Sequence, residues 1–210
     1  MIYLIITTSI SNQLGVDYYK VRKDRYLYAI AETLKHVPPS VQPIIVENNG
    51  YDSTFLDNFQ HAGKKVPVLY TRNNSIVAKS KGVNEMMDIQ AVIRHFSIQD
   101  DDIVIKLTGR YRFLSTLFFE QLLKEEKEYD AWVKFFGADS LRYENYDCIL
   151  GCYAIRAKFL KLFHTLSIDN YKSAEIAFAR YVRFCGAKLK EVTELGLECL
   201  FAEDNRLLQV

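Results

Sequence analysis

Glycine and proline are scarce, 9 and 4 among 210 residues. Collagen-like and low-complexity chains are thereby excluded. Net charge is nearly absent too: 27 Lys and Arg face 26 Asp and Glu, leaving a formal +1. That balance gives no global pull toward nucleic acid or an anionic membrane, so any phosphate binding must come from a local cluster of bases. No run of roughly 18 apolar residues occurs, so no transmembrane helix is expected. The apolar start, Ile2 to Ile6, is too short for a signal peptide and has no basic segment before it. The 4 cysteines, Cys148, Cys152, Cys185 and Cys199, include no Cys-x-x-Cys pair. A disulfide framework is not expected at this chain length, and reduced, mostly buried thiols fit a cytoplasmic protein. The histidines, His36, His61, His95 and His164, have no metal-ligand spacing. Missing as well are the phosphate-binding Gly-x-x-x-x-Gly-Lys-Ser/Thr loop, the dinucleotide Gly-x-Gly-x-x-Gly fingerprint and the Gly-x-Ser-x-Gly nucleophile elbow.

The chain does have apolar substance: 49% of its residues, with 14 Tyr and 13 Phe among them. Core packing is the ordinary use of such aromatics, and a ligand-stacking platform is the other. The length fits a single domain. Ile2 to Ile6 reads as a buried central strand ending on Thr7-Thr8-Ser9. Tyr26, Ile30, Thr33, Leu34 and Val37 recur at helical spacing until Pro38-Pro39 stops the helix. Ile44 to Val46 is a second strand, closing on Glu47-Asn48-Asn49-Gly50. Phe55 to Phe59 fits a short helix with Gly63 as its stop, and Val66 to Tyr70 a third strand. A helix with Val83, Met86, Met87, Ile93 and Phe96 inward leads to Asp100-Asp101-Asp102 and a fourth strand, Ile103 to Leu107. Strands alternating with helices predict right-handed crossovers and a parallel sheet. The second half is less regular. It reads as a helix from Ser115 to Tyr129, strands over 131–136 and 148–155, helices over 159–166 and 173–185, and a last strand or pair over 189–201.

In open parallel sheets, ligands bind beyond the carboxyl ends of the strands. That rule selects Thr7-Thr8-Ser9, Glu47-Asn48-Asn49, Thr71 to Asn74, and Thr108-Gly109-Arg110. Each alone reads equally as a solvated loop; the four together point to a site. If the fourth strand stays extended, Lys106, Thr108, Arg110 and Arg112 share one face. The bases among them would repel unless carboxylates or a phosphate paired with them, and Arg is the preferred bidentate partner of phosphate. Lys79-Ser80-Lys81-Gly82 opens a helix, where backbone amides favour anions; a solvated helix end is the plainer reading.

Five segments, in order over roughly residues 1–160, carry a resemblance. They are Ile5-Ile6-Thr7-Thr8, Ile45-Val46-Glu47-Asn48-Asn49-Gly50, Lys81-Gly82-Val83-Asn84-Glu85, Ile105-Lys106-Leu107-Thr108-Gly109-Arg110-Tyr111, and Gly151-Cys152-Tyr153-Ala154-Ile155-Arg156. The chain resembles small GT-A-type glycosyltransferases, of the kind found in bacterial polysaccharide loci and in large DNA viruses. The resemblance implies a three-layer α/β fold, a mainly parallel central sheet flanked by helices. It implies that residues 1–113 hold a nucleotide-diphosphate sugar, UDP-sugars favoured, and that residues 114–210 hold a glycan or glycoconjugate acceptor. Thr7, Thr8, Glu47 and Asn48 would surround base and ribose, and Lys81-Gly82 would lie along the nucleotide. Lys106 and Arg110 would face the diphosphate, with Asn73 and Thr108 in the same donor-binding set. No bound organic cofactor is expected.

There is one departure from the resemblance. Most GT-A enzymes carry Asp-x-Asp after the fourth strand, binding Mn or Mg at the diphosphate; here that place reads Leu107-Thr108-Gly109-Arg110. Asp100-Asp101-Asp102 lies at the other end of the strand and reads as a solvated turn. Either Lys106 and Arg110 supply the positive charge instead of a metal, or ligands come from elsewhere, such as Asp139. An inverting transfer needs a carboxylate near the acceptor hydroxyl. Glu175 and Asp147 are the candidates, with Glu144 beside the latter; for Glu175, pairing with the helix dipole competes. Two other readings stay open: a nucleotidyltransferase, and a catalytically inactive nucleotide-sugar or phosphate-binding module.

Overall fold

Residues 1–10, 19–50, 52–75, 81–135, 147–164, 173–200 and 206–210 are described by the computed structural model of the chain. Branched apolar runs build its centre. β1 (Ile2–Thr8) is buried along its whole length and pairs in parallel with β2 (Val41–Glu47) on one side and β6 (Ile103–Thr108) on the other. β5 (Val68–Tyr70) adds in parallel outside β2. Beyond β6 lie β9 (Cys152–Arg156), β8 (Ala131–Val133) and β10 (Leu189–Glu191), giving the order β10-β8-β9-β6-β1-β2-β5. β9 runs antiparallel to both of its neighbours, and the other pairs of this sheet are parallel.

Side-chain alternation along the strands builds two cores. Leu4 and Ile6, with Ile45 and Ile105, meet Tyr26 and Ile30 of α1 (Tyr19–His36) and Phe118, Phe119 and Leu122 of α3 (Leu117–Glu125). Tyr3 and Ile5, with Ile44, Val46 and Val104, meet Met86 and Ile89 of α2 (Lys81–His95), Leu160 of α4 (Ala157–Leu162) and Phe178 of α5 (Ala174–Phe184). Each buried aliphatic side chain of this kind stabilises the fold by about 1.5–3 kcal/mol. The result is the expected three-layer α/β class, a mainly parallel sheet between two helical layers. A smaller sheet, ordered β12-β11-β7, joins β7 (Arg112–Phe113), β11 (Leu197–Leu200) and β12 (Leu207–Gln209) on the α1 and α3 side.

Several local expectations are corrected. Of the third strand expected over 66–70, Val68–Tyr70 joins the sheet. Before it, β3 (Gln60–His61) and β4 (Lys64–Lys65) form a hairpin whose turn residues Ala62 and Gly63 have φ of 48° and 75°. A two-residue hairpin turn needs such positive values, so Gly63 turns a hairpin rather than ending a helix. The fourth strand does not stay extended. Tyr111 N donates to Thr108 O at 2.8 Å, closing a turn at Gly109-Arg110. Arg112 begins β7 instead, where its Nε meets Glu198 at 2.7 Å and it also donates to the Tyr28 hydroxyl, so it leaves the Lys106 face. Asp102 is 7% exposed, accepts from Gln99 N and pairs with the Met1 ammonium; only Asp100 and Asp101 fit a solvated turn. All four cysteines are free thiols. No helix among the described residues is long and apolar enough to cross a membrane.

Candidate functional site

The chain runs from β1 outward to β2 and β5, and α2 then carries it back to β6 on the other side of β1. A crevice outside the carboxyl ends of β1 and β6 is the outcome of that reversal, and such switch points are where open α/β sheets bind ligands. Strand parity sorts the polar residues there into two sets.

Thr7, Lys106, Thr108 and Asn48 share the side of Ile5, Val104 and Val46, and so face α2. Thr7 and Thr108 donate to Glu85 Oε1 at 2.9 and 3.2 Å. Lys106 Nζ reaches Glu85 Oε2 at 3.2 Å, Thr108 Oγ1 at 2.6 Å and the Leu150 carbonyl at 2.9 Å, which uses all three of its donors. Lys106 is 1% exposed, whereas Glu85 opens partly to the crevice. Burial disfavours the Glu85 charge, but Lys106, Arg110 and the Thr7 hydroxyl outweigh it and hold the carboxyl below its ordinary range. The partner of Lys106 is therefore a carboxylate, one of the two partners the sequence leaves open. Farther along α2, buried Asp88 accepts from Asn48 Nδ2 at 2.9 Å and from Thr71 Oγ1 and Asn73 Nδ2 at 2.7 Å. It fastens the ends of β2 and β5 to the helix, and burial pushes its pKa up to about 6.

Thr8 and Glu47 point to the α1 side. Thr8 Oγ1 donates to Val46 O at 2.9 Å. Glu47 is wholly buried and accepts from the backbone amides of Ile10 and Asn49 at 3.2 Å; burial drives its pKa up to about 7. Gly109 N donates to Thr7 O at 2.8 Å, and a Cβ on Gly109 would lie 2.8 Å from Thr8 Cγ2 and 2.9 Å from Thr7 O. Glycine is what lets the turn after β6 close on β1. Arg110 follows, its Nε on the Leu200 carbonyl at 2.9 Å and its guanidinium 5.2 Å from the Tyr111 ring centre. Burial opposes its charge, yet Tyr111, Tyr26 and Glu85 raise its pKa overall.

Lys81 and Gly82 open α2. A gap about large enough for one water molecule lies between Gly82, Glu85, Lys106, Leu150, Tyr153 and Ala174. It borders the Glu85 cluster on one side and Ala174, the residue before Glu175, on the other. The Glu175 carboxylate accepts from the helix cap Ser173 at 2.5 Å, and its backbone carbonyl accepts from Cys148 Sγ at 3.4 Å. Asp147, buried, accepts from Cys148 N at 2.9 Å. Asp147 and Glu175 are thus neighbours through Cys148.

The place of the Asp-x-Asp pair holds Thr108, Gly109 and Arg110, which bring a cation and no carboxylate to where a Mn or Mg ion would be held. Among the described residues no group of three His, Cys, Asp or Glu is placed to hold a metal. Asp139, Glu144, Lys79 and Ser80 lie outside the described residues. Glu85 and Asp88 are the site residues that sequence reasoning missed. Their signal was present: two acids one helical turn apart, on a helix that parity sets against Thr7 and Asn48.

No family model matches the chain, and no curated protein matches it in sequence. Solved structures match it in fold. A protein assigned as a nucleotide-diphospho-sugar transferase from Desulfovibrio desulfuricans G20 is 9% identical, with TM-score 0.57 over 90% of this chain and 78% of its own. The galactosyltransferase LgtC, solved with donor and acceptor sugar analogs, is 8% identical, with TM-score 0.56 over 91% of this chain and 73% of its own. A mannosyltransferase from Pyrobaculum calidifontis, in complex with GDP-Man and Mn2+, is 10% identical, with TM-score 0.55 over 91% of this chain and 54% of its own. At such identities the likeness is one of fold: the chain has the GT-A-type architecture of nucleotide-diphospho-sugar transferases.

Proposed function

We propose that the chain transfers a sugar from a nucleotide-diphosphate donor, UDP-sugars first, to a hydroxyl of a glycan or glycoconjugate. One observation carries the reading: the polar ends of β1, β2, β5 and β6 gather at the switch-point edge of a sheet of this fold. Asn48 and Asn73 offer hydrogen-bonding groups for base and ribose, Thr8 and Glu47 brace the strand ends from the buried α1 side, and Gly82 borders the path of the nucleotide. Lys106 acts by holding Glu85 ionised, and Glu85 accepts from a hydroxyl of ribose or sugar. Arg110 meets the diphosphate, where negative charge grows as it leaves. In the transfer, the acceptor oxygen bonds to the sugar C1 while the C1–O bond to the diphosphate breaks. The electron pair departs with the nucleoside diphosphate, and the hydroxyl proton passes to Asp147 or Glu175. The sugar-bound complexes of the fold neighbours support this reading.

A thermal-shift screen with UDP, GDP, CMP and dTDP, each with and without Mn, tests the proposal. A ligand bound by the native state alone, at about 100 times its Kd, adds about 2.7 kcal/mol of stability. At least one nucleotide raises the melting temperature; no shift with any of them would contradict the proposal.

A further inference from the structure

We propose that Arg22, Tyr26 and Arg110 form an anion site on the α1 side of the crevice that takes two linked phosphate groups, with Arg22 as the second cation beside Arg110. Identifying its ligand as the donor diphosphate rests on the function proposed above; its chemistry does not.

Arg22 and Tyr26 are one helical turn apart on α1 and face the same strip. Arg22 is 8% exposed. Its Nε donates to the Ile10 carbonyl at 3.2 Å and its Nη2 to the Ser9 carbonyl, so the guanidinium clamps the two residues that follow β1. It lies 5.8 Å from the centre of the Tyr26 ring. That ring abuts the turn after β6, where a Cβ on Gly109 would come within 3.0 Å of it. Tyr26 is also within electrostatic reach of the Arg110 guanidinium and favours its charge. One tyrosine therefore lies beside both guanidiniums, the buried one of Arg22 and the half-buried one of Arg110.

Three other cations set into the fold are matched by carboxylates. Lys106 has Glu85, Arg112 has Glu198 and Arg156 has Asp130. Arg22 and Arg110 have no carboxylate at ion-pair distance among the described residues; their partners there are backbone carbonyls and aromatic rings. Glu85 lies in electrostatic reach of Arg110, but Lys106 already balances it. Glu47, the other acid on this side, is largely neutralised by its burial below about pH 7. Two like charges held in low dielectric repel, and a dianionic ligand relieves that repulsion. Beyond the carbonyls that Arg22 Nε and Nη2 and Arg110 Nε already meet, both guanidiniums keep N–H donors for phosphate oxygens, and Tyr26 adds a hydroxyl donor nearby.

The test is calorimetric titration of the full chain with inorganic pyrophosphate. The wild type binds it. Arg110→Gln and Arg22→Gln each weaken binding at least tenfold, while Arg22→Lys, which keeps the charge, recovers part of the loss. A second measurement avoids any folding defect: phenylglyoxal labelling of the wild type, mapped by mass spectrometry, with pyrophosphate protecting Arg22 and Arg110 against modification. Absence of pyrophosphate binding, or binding without protection of Arg22, overturns the inference. Arginine-dependent pyrophosphate binding with no response to any nucleotide or nucleotide sugar would retain this site and overturn the donor reading. Nucleotide binding with an unprotected Arg22 would do the reverse.

Discussion

Replacing Glu85 by Gln keeps an acceptor in place but strands the Lys106 ammonium, which is 1% exposed and has a single anionic partner among the described residues. Removing one member of a buried ion pair costs about 3–5 kcal/mol, because the remaining charge has lost its water and its partner. The Glu85 side chain is 29% exposed, so water entering from the crevice compensates in part. A loss of about 2–3 kcal/mol follows. Lys106→Met together with Glu85→Gln removes both charges and recovers much of it, giving a coupling of about 1.5 kcal/mol or more in a double-mutant cycle. Urea unfolding at pH 7 reads all four proteins, with unchanged m-values as the check that the comparison is of stability alone. A single-variant loss below about 1 kcal/mol with no coupling is the behaviour of a surface pair. That result would refute the reading of Lys106 and Glu85 as a buried, coupled ion pair.

Gly151→Ala places a Cβ 2.0 Å from Tyr111 Cε2, so the ring must move; urea denaturation shows a loss of about 1–3 kcal/mol. Glu47 binds protons more tightly folded than unfolded, its pKa rising from 4.5 to about 7. Stability therefore falls as pH rises between those values, by on the order of 3 kcal/mol from this group, and Glu47→Gln flattens that part of the profile. Donor affinity by calorimetry in EDTA stays within about tenfold of that in excess Mn, since Thr108 and Arg110 stand where carboxylates would hold the ion; a larger gain on adding Mn, above about 1.4 kcal/mol, contradicts this.

The centre of the fold was legible because β1, β2 and β6 are runs of buried branched residues closed by polar ones. The hairpin β3–β4 and strands β7 and β12 escaped notice: each strand is two or three residues long, too short for any periodicity, and pairing alone defines it. The strand-end rule gathered Thr7, Thr8, Glu47, Asn48, Asn73 and Thr108 at one edge. It does not say which way each one points, and parity would have divided Thr7 from Thr8. Lys106 misled because a lysine late in a strand looks available for a ligand, while the acid that occupies it comes from a helix 21 residues earlier. Arg112 left the site because a turn at Gly109-Arg110 intervenes, and residue alternation carries no signal of a turn.

The most direct measurement of the central claim is phosphorus NMR of the full chain incubated with UDP-, GDP-, CMP- and dTDP-linked sugars and a mixed glycan acceptor, beside a parallel incubation with nucleoside triphosphates and sugar 1-phosphates. A glycosyltransferase cleaves the bond between sugar and diphosphate, so nucleoside diphosphate appears in the first incubation for the UDP, GDP and dTDP donors, and nucleoside monophosphate for the CMP-linked donor. Release of pyrophosphate in the second, with the nucleotide sugars of the first left intact, would contradict the account and assign the crevice to nucleotidyl transfer.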